Sequence, residues 1–583
     1  MRTWIVAATF LAAAGAIAGE PVPRKRTQPP AQQPQAKAVE PTTEARVSPI
    51  EPDTVYDVAT AARAARDYLL TIEDEERRFN TRVFSFYEFK DPAVREERIR
   101  TMNFAINSIS RAGRLKLMDR VPGTKDALTA VDLRDFRIDP KFWEQFAKAS
   151  RYYLADAIAS EKQVTVQAVP TPAVVPEVRR VRKYTGYRPW PGGVWYADSK
   201  YYPPGSFQYQ QWYDVDEVIE RPAVVNQTVV AESTPVERKA VIANPTIDPT
   251  VAQHLVVLSG SVMPIAFAME FMVQTTDTTK STLYYDILGM GKSVKEAYKI
   301  IGADIDFVAK IEKDRQGMVA FSGITQKNRR LTRVPTVTGY LWLSTDSKTD
   351  TDRQNYFEIL LDRGVDNFDA TEQIFSLPNE LQGYLLADNK DELQTSAPDF
   401  IAHDKMTTNN DGRVRNGLSC IRCHDTGILK FHSVFQDLRK SIKAYSYSAD
   451  DLRRLDQLYG GHLDDEFAED QARYARAVKR VANRTPQENA RLYARAFADW
   501  DEARITAARA ALELGVSTEE FLAVLREQAS KKDSSLNGTL SALIADQPAQ
   551  ISRDQWTKVF AEACVLVDNS RKARKDKPQG SDP

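Results

Sequence analysis

Two thiols and an imidazole stand together in Cys420-Ile421-Arg422-Cys423-His424. Cysteines separated by two residues can reach the two vinyl groups of one haem and form thioethers. A histidine beside the second cysteine is then held beneath the iron as an axial ligand. The pattern predicts one covalently attached haem c, with Cys420 and Cys423 as attachment thiols and His424 as proximal iron ligand. Other chemistries fit the residues less well. A structural zinc site needs four ligands, and no second cysteine pair occurs. A dithiol redox site would follow a strand and open a helix, whereas Arg415-Asn416-Gly417-Leu418-Ser419 reads as a turn. The third and last cysteine is Cys564, so the chain has too few for a disulfide framework. Cys564 follows Trp556 and Phe560 in a helical pattern and reads as a buried free thiol.

The partner on the other side of the iron is open. Small soluble cytochromes c place a distal methionine downstream of the attachment motif, but the last methionine here is Met406, upstream of it. His403, Met406 and His432 are the candidates, with His462 and the group Met263, Met269 and Met272 as further possibilities. The methionine group reads better as core packing, and His254 and His462 as incidental. A five-coordinate iron would move the chemistry toward ligand binding or peroxide.

The elements that must position these groups begin with an export segment. Arg2 precedes an apolar stretch from Ile5 to Ala14, and Ala16-Ile17-Ala18 forms a small-x-small site, so residues 1–18 read as a cleaved signal peptide. This places the chain in the periplasm or cell envelope, where covalent attachment retains a cofactor. Leu255 to Val273 is also apolar, but Ser259, Gly260, Ser261, Pro264 and Glu270 interrupt it. It reads as a buried core segment, with no stable membrane span after signal cleavage. Lys and Arg total 79 against 80 Asp and Glu, a balance that exerts no pull toward nucleic acid.

A chain of 583 residues is too long for one core and predicts an α+β multidomain protein. Residues 19–54 are rich in Pro and Gln and read as a disordered linker. Residues 55–162 form a helical N-terminal domain with short strands at Leu115–Val121 and Leu128–Phe136 and a final helix from Phe142 to Ile158. Residues 163–250 read as an irregular Pro- and aromatic-rich insertion, its basic cluster Arg179, Arg180, Arg182 and Lys183 being solvated linker. Residues 251–410 form a mixed α/β central domain, with strands at Thr338–Leu343, Gln373–Leu377 and Gly383–Leu386. Residues 411–447 are the cytochrome c-like attachment segment. Residues 448–569 are all-helical, with start signals at Ser448/Asp451, Thr485-Pro486-Gln487-Glu488 and Ser517/Glu520. Residues 570–583 read as a disordered tail.

Several short blocks carry a resemblance. They include Phe104-Ala105-Ile106-Asn107-Ser108-Ile109-Ser110-Arg111, Val121-Pro122-Gly123-Thr124, Val131-Asp132-Leu133-Arg134-Asp135 and Tyr284-Tyr285-Asp286-Ile287-Leu288-Gly289. Asn328-Arg329-Arg330 and Thr338-Gly339-Tyr340-Leu341-Trp342 follow. The most specific is Phe375-Ser376-Leu377-Pro378-Asn379-Glu380-Leu381-Gln382-Gly383-Tyr384, leading to Asn416-Gly417-Leu418-Ser419 and the attachment motif. The chain resembles large bacterial envelope proteins with a single cytochrome c-like haem site near a helical C-terminal region. The resemblance implies haem binding and one-electron transfer with an envelope redox partner protein, more than catalysis. A haem-dependent peroxidase or oxidoreductase and an envelope scaffold or haem-based sensor are the alternatives. The Met-rich stretch around Met269 and the aromatic insertion at 184–213 depart from the pattern.

Overall fold

The computed structural model describes residues 57–150, 152, 177–189, 194–195, 201–202, 208–219, 247–303, 316–319, 329–347, 368–397, 404, 412–424, 426–431, 439–440, 447–459, 463–531, 536–545 and 550–575. The expected signal peptide and linker lie outside these residues. The class is mixed α+β, as the sequence predicts.

The N-terminal segment opens with helices α1 (Val58–Leu70) and α2 (Glu75–Asn80), followed by strand β1 (Thr81–Ser85) and helix α3 (Pro92–Ser108). Strand β1 pairs antiparallel with β3 (Leu128–Asp132) and parallel with β8 (Ile265–Phe267), while β2 (Asp119–Arg120) completes a sheet of order β2-β3-β1-β8. The expected strands are shortened at both places. Of Leu115–Val121, only Asp119–Arg120 pairs. The second strand stops at Asp132, whose carboxylate accepts the Arg134 amide at 3.0 Å and opens a 3-10 turn at Leu133–Phe136. The next helix, α4, starts earlier than its apolar pattern does. Asp139 caps it and Pro140 sits in its first turn, giving Pro140–Ala149. The helix stops at Ala149 with Ser150 extended, short of the expected end at Ile158; residues 151 and 153–158 lie outside the described set.

The apolar stretch from Leu255 to Val273 is cut into three pieces. Helix α5 (Pro249–Ser259) ends on Gly260 in the left-handed region, β8 follows, and α6 (Ala268–Thr276) resumes the helix. Among the described residues no helix is long and apolar enough to cross a membrane. Met263, Met269 and Met272 are fully packed in the core.

The insertion expected to be irregular contains a long hairpin. Strands β4 (Glu177–Pro189) and β7 (Gln208–Ile219) pair antiparallel, with the short strands β5 (Val194–Trp195) and β6 (Tyr201–Tyr202) paired between them. Its register sets Arg179 opposite Glu217, Arg180 opposite Asp216 and Arg182 opposite Asp214. The local pattern hides it, because each strand alone carries charges of mostly one sign.

The central segment adds helices α7 (Leu283–Leu288) and α8 (Val294–Ile301), then six antiparallel strands in the order β14-β13-β12-β11-β10-β9. These are β9 (Gln316–Val319), β10 (Arg329–Thr336), β11 (Gly339–Ser347), β12 (Phe368–Ser376), β13 (Gln382–Asp388) and β14 (Leu393–Gln394). The three strands expected here are all present. Register places Arg329 and Arg333, Trp342, Glu372 and Ile374, and Tyr384 on one face of the sheet.

The C-terminal region is helical as expected, with its start signals in use. Ser448 and Asp451 cap Ala449–Tyr459 reciprocally, Thr485 and Glu488 form a capping box on Pro486–Phe497, and Ser517 caps Thr518–Ala529. The last helix, Arg553–Lys575, runs past the expected start of the tail. Arg571 holds it there through ion pairs to Glu520 and Asp57. Cys564 is buried, as the sequence suggests.

One hydrophobic cluster takes in residues from Val58 to Val567, so the N-terminal, central, attachment and C-terminal segments share a core. Hydrogen bonds join their edges: Trp143 donates to the Met263 carbonyl at 2.8 Å, and Tyr152 to Glu513 at 2.9 Å.

Candidate functional site

The attachment motif lies on a single turn of helix. Leu418–Cys423 is helical, and His424 is the residue that ends it. Cysteines three apart on a helix lie on neighbouring positions of one face. Both are free thiols, each half-buried. The helix can start only because residue 417 is glycine. Gly417 has φ of +73°, and a Cβ there would come within 2.3 Å of the Thr276 carbonyl oxygen at the end of α6.

The turn is tied on three sides. Asn416, fully buried, donates to the Tyr384 carbonyl at 3.1 Å, while its side-chain oxygen lies 3.6 Å from the Cys420 sulfur as acceptor. Arg422 pairs with Asp404 at 2.6 Å, and Ser419 donates to the same carboxylate at 2.7 Å. Arg415 pairs with Asp277 at 3.3 Å.

His424 is held by the loop that follows it. Its Nδ1 lies 3.2 Å from the Gly427 carbonyl oxygen. A carbonyl only accepts, so Nδ1 carries the proton and Nε2 keeps its lone pair. That loop is fastened to the Asp464–Ala482 helix by Gln471, which accepts from the Ile428 amide at 3.1 Å and donates to its carbonyl. The imidazole lies against Tyr384 of β13, with ring centroids 6.1 Å apart and planes at 26°.

The sheet face beyond Tyr384 carries two buried ion pairs. Arg329 meets Glu372 at 2.6 Å, and Arg333 grips Asp470 with two bonds of 2.8 and 3.0 Å. Asp470 also accepts from the Trp342 indole at 2.8 Å. Trp342, Phe431 and Phe467 pack edge to face beside them.

These surroundings set the charge states. Burial pushes the His424 imidazole below its ordinary value, against the pull of Glu372, so it favours the neutral form a metal needs. Burial raises the Cys420 thiol, with Glu372 adding to it, and raises Cys423, with Asp404 adding to it. A dithiol redox pair needs the opposite, a lowered thiol pKa. Burial opposes the charge on Glu372, yet Arg329 holds this carboxyl below its usual range.

The donor set fits a haem c: two thiols on one turn, an imidazole with its tautomer chosen, an aromatic wall, and the buried guanidiniums of Arg415 and Arg422 at the same turn. Among the described residues, no group of three or more His, Cys, Asp and Glu side chains gathers as an ion site. The distal candidates His403, Met406 and His432 lie outside the described residues, as does His462. His254 is exposed on α5. The sequence assigned no role to Gly427, Glu372, Arg329 or Asp404. Arg329, Tyr384 and Asn416 stand in the short blocks that carry the resemblance, without one. The Asn416-Gly417 pair, a turn signal before the motif, was the available hint.

No protein-family model, curated protein or solved structure matches the chain.

Proposed function

We propose that this chain is an exported monohaem c-type cytochrome that passes single electrons to or from a redox partner protein in the bacterial cell envelope. The observation that carries the reading is the 3.2 Å contact of His424 Nδ1 with the Gly427 carbonyl, directly after two thiols on one helical turn. A metal-ligating histidine characteristically donates its other ring N–H to a carbonyl or carboxylate, which fixes the ring and leaves the ligating nitrogen free. Haem, when bound, supplies an iron centre that exchanges one electron between ferric and ferrous states.

The chain's own residues divide the remaining work. Cys420 and Cys423 would tether the group, and His424 would offer Nε2 to its iron. Gly427 holds the proton at Nδ1, and Gln471 holds Gly427's loop. Tyr384 stacks on the imidazole and limits its rotation. Asn416 links Tyr384 to the Cys420 sulfur.

The test is the full-length chain produced in a host that attaches haem c in its periplasm. The expected result is a haem stain that survives denaturing electrophoresis, is lost in Cys420→Ser/Cys423→Ser, and accompanies a low-spin reduced spectrum insensitive to CO. A chain that never stains would remove the haem reading. A stained chain with a high-spin ferrous spectrum that binds CO would replace electron transfer with ligand or peroxide chemistry.

A further inference from the structure

Charge is distributed unevenly around the attachment turn. On the six-stranded sheet, Ile374 of β12 faces Tyr384 of β13, and Glu372 lies two residues before Ile374 on the same face. Tyr384 is the residue stacked on His424. The Glu372 carboxylate therefore stands on the patch of sheet that faces the imidazole. Arg329, reaching from β10, fixes it at 2.6 Å, with the two side chains only 17% and 8% exposed. The pair is neutral in sum but not in direction: the carboxylate belongs to β12, the neighbour of Tyr384's strand, while the guanidinium reaches in from β10, two strands farther off. Two further ion pairs tie the motif: Arg422–Asp404, bound into the helix itself through Ser419, and Arg415–Asp277.

We propose that Glu372, clamped by Arg329, is a positioning residue that holds the reduction potential of the His424 site low. This rests on the haem reading above. A fixed negative charge in a half-buried site favours the oxidised, more positive state of a metal centre, and its effect is larger there than in water. Arg329 keeps the carboxyl ionised and immobile, so the charge persists across the neutral range.

The experiment is a potentiometric titration of the haem-loaded full chain, the parent against E372Q, E372D and the double variant R329Q/E372Q. E372Q should raise the midpoint by about 59 mV or more, a tenfold change in the one-electron equilibrium constant. E372D, which keeps the charge, should stay near the parent. The double variant should rise by less than E372Q, and it carries the test if E372Q does not fold. Stained E372Q and R329Q/E372Q chains whose midpoints equal or fall below the parent's would overturn the assignment and leave the haem reading intact. If neither parent nor variants stain, the haem reading fails and this assignment with it.

Discussion

Tyr384 lies nearly parallel to the His424 ring, 6.1 Å between centroids, although forty residues separate them in the chain. The tyrosine belongs to a strand and the histidine to the end of a helix, so their contact joins the sheet to the attachment turn. Tyr384 is fully buried, and its hydroxyl donates to Gln382 at 3.2 Å. Tyr384→Ala should cost about 3–5 kcal/mol of stability and reduce haem attachment. Tyr384→Phe should cost only about 1 kcal/mol and attach normally. Urea titrations with haem staining of both variants check this.

Gly417 admits one residue type for two reasons, its positive φ and its approach to Thr276. Gly417→Ala should lose at least about 1–2 kcal/mol from the backbone alone. The damage should fall on the attachment turn. Amide exchange around residues 415–424 should quicken in the variant while the Pro486–Phe497 helix keeps its protection.

Asp470 satisfies Arg333 twice and Trp342 once from a site 1% exposed. Asp470→Ala leaves a buried guanidinium unpaired and should cost about 3–5 kcal/mol. Removing both charges in Asp470→Leu/Arg333→Met should recover much of that loss. Thermal melts of the single and double variants measure the difference.

Glu88 is 1% exposed, and among the described residues neither of its oxygens reaches a hydrogen-bond partner outside its own residue. Burial pushes its pKa up to about 8, partly offset by Arg509. The folded chain thus keeps a proton on Glu88 that the unfolded chain releases above the ordinary glutamate value. Stability from this group is full in acid and declines as pH rises from about 4.5 to about 8, by about 1.4 kcal/mol per pH unit. Glu88→Gln should flatten that decline, making the variant the more stable chain at pH 8. Parallel pH profiles with equal slopes would count against it.

Local rules made much of the chain legible. The capping pairs Thr485/Glu488 and Ser517/Glu520 start helices where their spacing predicts, because caps satisfy amides within one turn. Strands β11, β12 and β13 follow their apolar and turn residues. The β4–β7 hairpin is not legible locally because its two strands pair across a long connection. The helix past Ser570 escaped because Arg571 finds Asp57 over five hundred residues away.

The sequence by itself determined which groups stand together in the motif: two thiols with two residues between them and an imidazole beside the second. Types and spacing are local, and bonding demands act on them directly. Only the tertiary structure decided how those groups are held. The His424 tautomer follows from a carbonyl three residues on, whose loop is fastened by Gln471 of a later helix. The charge beside the site comes from Arg329 and Glu372 on two strands. Their closeness is a matter of sheet register and burial, and neither acts until the chain has folded.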